Sequence, residues 1–143
     1  MIEFLNDSKH KNLSYPMTNV PVWRGVVCPE DIGQKDYALN SIGFFPCFTS
    51  TSCNQAEAHG FATKYGNAKH GIVFKIYLTK NNNPRTHIDT RAKIDEWSFH
   101  PKEEEVLLFP FFRFLVVGNT VRDDTYDNQA VRITEVTLME IPF

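Results

Sequence analysis

Three polar features interrupt otherwise apolar stretches of this chain: Arg24, the triplet Ser50-Thr51-Ser52, and the run Glu103-Glu104-Glu105. A break in a local pattern is where function most often overrides folding rules. In an extended strand, residues two apart share a face, so Glu103 and Glu105 project together while Glu104 points away. A carboxylate pair suits glycosyl chemistry, in which one carboxylate stabilises an oxocarbenium-like transition state and the other handles a nucleophile or leaving group. An arginine suits phosphate, because its planar fork grips two oxygens at once. Together the two features point to a sugar bearing phosphates. Each also has a purely structural explanation: Arg24 on the solvent face of an edge strand, the triplet as a turn and helix cap, the glutamates as a solvated strand entry.

Other chemistries lack their signatures. None of the seven glycines forms G-x-G-x-x-G or a P-loop, which disfavours a Rossmann cofactor site and a Walker nucleotide site. The five histidines, His10, His59, His70, His87 and His100, lack metal-ligand spacing, so no metal is expected. His59 is read as an exposed or capping residue of a helix. Cys28, Cys47 and Cys53 are an odd set without C-x-x-C spacing and are read as reduced thiols, with Cys53 a helix-start residue rather than a nucleophile.

The elements that must position these residues can be read from periodicity. Val20 to Val27 is β-branched and aromatic and reads as a strand containing Arg24. Gly43 to Thr49 reads as one or two extended pieces leading into the serine triplet, which then opens a helix. Ser52 with Gln55 fits a capping box, and Ala58, Phe61, Ala62 and Tyr65 form one helical face ended by Gly66. Ile72 to Leu78 reads as a strand buried on at least one face. Glu105–Phe109, Phe114–Gly118 and Val131–Ile141 add three strands, the last two paired antiparallel across a long polar turn. The run from Thr79 to Pro84 is a surface loop. A mostly antiparallel sheet with one or two helices follows, and the class is α+β.

The chain of 143 residues has the size of one domain, residues 1–143, around one core. Fifteen Lys+Arg against 17 Asp+Glu give a formal net charge of −2, so no basic field favours nucleic acid as a partner. Hydrophobic residues at 42%, with 12 Phe, supply ample core and argue against disorder. The longest apolar stretch, Val106 to Phe112, falls far short of the roughly 20 residues of a spanning helix, so no membrane partner is expected. The amino terminus shows no basic region followed by an apolar run, which predicts a cytoplasmic chain or one cut from something larger. A monomer is expected.

The order of the three features matters: Val22-Trp23-Arg24-Gly25, then Phe48-Thr49-Ser50-Thr51-Ser52, then Ser98-Phe99-His100-Pro101-Lys102-Glu103-Glu104-Glu105-Val106-Leu107. This series resembles the arginine–serine–glutamate class of mono-ADP-ribosyltransferases, which includes vertebrate ecto-enzymes and several bacterial toxins. The resemblance spans about Val20 to Phe114. It implies a split β-sandwich with a few short helices, and NAD+ as a substrate used without metal. It implies transfer of ADP-ribose to an accessible arginine of a protein, with release of nicotinamide.

Carried over by position, the resemblance has Arg24 hold the NAD+ phosphates and ribose and the Gly25 backbone meet the nicotinamide amide. Ser50 hydrogen-bonds the catalytic glutamate, with Thr51 and Ser52 supporting the turn. Glu105 is the catalytic carboxylate and Glu103 activates the incoming guanidinium. Phe61 stacks on nicotinamide, with Tyr65 competing for that role. Residues Ala92 to Lys102 form a target-recognition loop with Trp97 and Phe99 as contacts. Only 23 residues precede Arg24, so the longer amino-terminal helical region of the vertebrate ecto-enzymes is not expected in full. Two other functions stand beside the transferase: an NAD+ glycohydrolase, in which water is the acceptor, and a non-catalytic NAD-binding module.

Overall fold

The computed structural model describes Thr18 and residues 20–28, 33–63, 70–79, 90–93, 105–126 and 128–141. The chain order of its elements is β1 (Val22–Cys28), α1 (Gly33–Asp36), β2 (Ile42–Phe45), β3 (Thr49–Ser52), α2 (Gln55–Thr63), β4 (His70–Tyr77), β5 (Arg91–Lys93), β6 (Glu105–Leu108), β7 (Phe112–Tyr126) and β8 (Gln129–Glu140). Strands lie in the order β2-β7-β8-β4-β1-β3-β6-β5. The α+β expectation is met, and most neighbours are antiparallel; β4 and β8 pair in parallel from His70↔Arg132 to Tyr77↔Met139.

β4 explains why its sequence is apolar almost throughout. Ile72, Phe74 and Ile76 point to one core, while Val73 points to the other, under α2. A strand buried on both faces loses the polar half of its alternation. The larger core joins Val22, Phe74, Phe112, Phe114 and Leu138 with Val106 and Leu108 of β6. The β3-β6-β5 group therefore folds over the face of the other strands, with its buried side inward. Only Trp23↔Ser52 pairs β1 with β3. The ladder splits there, and the two groups of strands diverge.

Two sequence expectations change. The long polar turn between the last two strands is itself strand: β7 runs on to Tyr126, pairs with β8 down to Tyr126↔Gln129, and passes an irregularity at Val116/Gly118. Its polar residues are strand residues because cross-strand pairing satisfies their backbone without burial. Asn128, at φ 64°, stands in the tight turn, a left-handed geometry that asparagine tolerates. The serine triplet, expected to open the helix, lies in β3, and the helix begins at Gln55.

Candidate active site

The alternation of β1 divides its side chains between two environments. Trp23 packs with Ala58 and Ala62 of α2, whereas Val22 and Cys28 enter the larger core. Arg24 spans the gap left by the split ladder, and its Nη1 donates to the Ser50 carbonyl oxygen at 2.9 Å. Burial pushes the Arg24 pKa down, partly countered by the nearby Tyr37 phenol. Arg24 is thus no edge-strand surface residue. Gly25 lies beneath α2: a Cβ there would come within 2.7 Å of the Ala58 carbonyl carbon and closer still to its oxygen. The same holds at Gly71, where a Cβ would meet the Ala62 carbonyl. Both glycines let the helix lie directly on the sheet.

On β3 the residues divide by period two. Thr49 and Thr51 are buried, and Thr51 Oγ1 donates to the Val106 carbonyl oxygen at 2.6 Å. Ser50 and Ser52 take the other face. Opposite Ser52 across the β3–β6 ladder stands Glu105, and opposite Ser50 stands Leu107. The place beside Glu105, expected for Ser50, is therefore held by Ser52; among the described residues no hydrogen bond joins Ser50 to Glu105.

The helix start also differs from the capping box expected at Ser52 and Gln55. Asn54 caps α2, its Oδ1 accepting from the backbone N–H of Ala56 at 2.9 Å and of Glu57 at 3.4 Å. Ser52 Oγ accepts from the Asn54 N–H at 3.0 Å and donates to Glu57 Oε2 at 3.1 Å. Ala58 and Ala62 are buried as the helical face requires, yet Phe61 of the same face is 47% exposed. His59, read as exposed or capping, instead ties α2 to β7, with Nε2 2.9 Å from Asp124 Oδ2 and Arg122 beside its Nδ1.

These side chains meet at one cleft of about 300 Å³, lined by Trp23, Arg24, Gly25, Ser50, Thr51, Ser52, Glu57, Ala58, Phe61 and Glu105. It opens where the β1–β3 ladder splits. The structure thus brings together all the described residues expected at the site. Glu103, Tyr65, Trp97 and Phe99 lie outside the described residues, and of the expected target loop Ala92 and Lys93 belong to β5, paired with β6. Glu57 was not anticipated. Its signal was its position four residues before Phe61, one turn along a helix and on the same face. Among the described residues no group of three or more His, Cys, Asp or Glu gathers as metal ligands.

The split sheet has counterparts among solved structures. The Vis toxin, an ADP-ribosyltransferase from Vibrio splendidus, superposes with a TM-score of 0.55 at 18% identity, covering 97% of this chain and 56% of its own. The chain has the ADP-ribosyltransferase fold. The ADP-ribosyltransferase HopU1 of Pseudomonas syringae matches at TM-score 0.58 and 20% identity, over 93% of this chain and 48% of HopU1. Exoenzyme S from Pseudomonas aeruginosa, solved with human 14-3-3 protein beta and bound to carba-NAD, matches at TM-score 0.53 and 14% identity, over 93% and 55% of the two chains. Vis has also been solved in complex with agmatine. The chain spans about half the length of these ADP-ribosyltransferases. No protein-family model matches the sequence, and no curated protein does.

Proposed function

We propose that this protein transfers ADP-ribose from NAD+ to an arginine side chain of a target protein and releases nicotinamide. The observation that carries this reading is the convergence of Arg24, Ser52, Phe61 and Glu105 on the cleft at the split ladder. The shared fold supports it, as do the carba-NAD bound to exoenzyme S and the agmatine, an arginine analogue, bound to Vis.

In the proposed reaction the bond between the ribose C1′ and the pyridinium nitrogen breaks with its electron pair moving to the ring. Nicotinamide leaves neutral, so no general acid is needed. Positive charge then develops on the ribose, where Glu105 offsets it, and an anionic group fixed in advance at that point lowers the barrier. Arg24 suits the pyrophosphate, and Phe61 offers a ring face to the nicotinamide. A guanidinium nitrogen attacks C1′ and gives up a proton, the step assigned to Glu103.

Parallel assays of free nicotinamide and of ADP-ribosylated agmatine test the reading. Acceptor-dependent product is expected. Nicotinamide release that is indifferent to agmatine would make the protein an NAD+ glycohydrolase, and release of none would leave a binding module. Glu103→Gln should abolish transfer while hydrolysis continues near its original rate.

A further inference from the structure

The cleft is lined by charged groups of both signs. Arg24 supplies a cation near Ser50, whereas Glu57 and Glu105 supply carboxylates to the same space. One carboxylate beside the ribose is enough for the proposed chemistry, so the second calls for a role of its own. Glu57 is held in place: Ser52 Oγ donates to its Oε2 at 3.1 Å, and the same hydroxyl is fixed by the Asn54 N–H. One helical turn on, Phe61 presents an exposed ring to the cleft. A carboxylate and an aromatic ring lining one cleft suit a flat cation, which the ring quadrupole and the negative charge both attract.

We propose that Glu57 is a specificity-determining residue that selects the oxidised dinucleotide by recognising the positive charge of its nicotinamide ring. The inference rests on the NAD+ reading of the cleft. Of the parts of NAD+, only the pyridinium is a planar cation, and reduction to NADH removes that charge while leaving the phosphates, riboses and adenine unaltered. The discrimination therefore falls on a single group. It also has a kinetic consequence. As the glycosidic bond breaks, positive charge leaves the ring and appears on the ribose, so a carboxylate at the ring favours the ground state over the transition state. Glu57 thus strengthens ground-state binding at the expense of the chemical step.

The experiment uses Glu57→Gln, which removes the charge while its amide oxygen can still accept from Ser52. Calorimetric titrations with NAD+ and with NADH, made in a Glu105→Gln background to prevent turnover, give the affinity ratio with and without Glu57. The expected result is a loss of about fivefold in NAD+ affinity, the size of a solvent-screened charge contact, with NADH affinity unchanged. In the otherwise wild-type chain, KM for NAD+ and kcat should rise together, leaving kcat/KM little changed. Glu57→Asp should keep the preference for NAD+. An unchanged NAD+/NADH ratio in Glu57→Gln, or a rise in KM for agmatine in place of NAD+, overturns the inference. If the wild-type chain neither binds nor cleaves NAD+, the reading of the cleft falls with it; cleavage with an unmoved ratio removes Glu57's role alone.

Discussion

Ser52 stands directly opposite Glu105 across the β3–β6 ladder, and it is also the residue through which β3 pairs with Trp23 of β1. One serine thus marks both the last joint between the two strand groups and the position of the proposed catalytic carboxylate. Because Glu105 is fixed by backbone pairing, its place depends little on its own side chain. Glu105→Gln should reduce nicotinamide release by about 10²–10³, with the thermal midpoint unmoved. Retention of more than a tenth of the activity would remove Glu105 from the chemistry.

Gly25 permits the contact that holds α2, and with it Glu57 and Phe61, over the cleft. Gly25→Ala should push the helix off the sheet, since backbone cannot move aside as a flexible side chain does. A loss of about 1–3 kcal/mol is expected from overpacking, read in urea denaturation. NAD+ affinity should fall as well. A variant as stable as the parent would contradict the close approach.

A buried ion pair ties β5 to β8 away from the cleft. Glu140, 1% exposed at its side chain, accepts from Arg91 Nη1 at 3.0 Å and from the N–H and hydroxyl of Thr79, both at 2.9 Å; Arg91 also donates to the Thr79 carbonyl. Arg91→Ala leaves the carboxylate buried without its cation and should cost about 3 kcal/mol. Adding Glu140→Gln should recover part of that loss. Denaturation of the two variants checks both statements, and equal stabilities would show that the charge is not the reason.

The three thiols should separate by chemistry. Burial, and secondarily Asp36, raises the Cys28 pKa above its ordinary 9.0, whereas Cys47 is exposed. Cys47 should react with a thiol reagent in the native protein, and Cys28 only as the protein unfolds. A raised acid pKa means the native state holds its proton longer than the unfolded chain. The contribution is complete below the unfolded value and is lost as pH climbs through the folded one. Stability should therefore decline above pH 9, and Tyr37, raised from 10.0 by burial first, adds to the decline. Cys28→Ala should flatten the lower part of that slope in pH-dependent melts.

What the sequence determined by itself was local. The order Arg24, Ser50-Thr51-Ser52, Glu105 was legible because each residue breaks a short apolar or extended pattern, and the strands of the core were legible from their β-branched and aromatic runs. Period-two alternation suffices to set Glu105 and Leu107 on one face of β6 and Val106 and Leu108 on the other. The rest depended on residues far apart in the chain. The capping role passed from Ser52 to Asn54 because Ser52 is held in a ladder with Glu105, 53 positions along the sequence. Phe61 fits the buried helical stripe by spacing and yet is 47% exposed, because it lines the cleft while Ala58 and Ala62 of the same face pack on the sheet. Gly25 is required by a helix that the sequence places thirty residues later. Register, the parallel pairing of β4 with β8, and the meeting of Glu57 with Glu105 are consequences of packing between distant segments, and no local propensity encodes them.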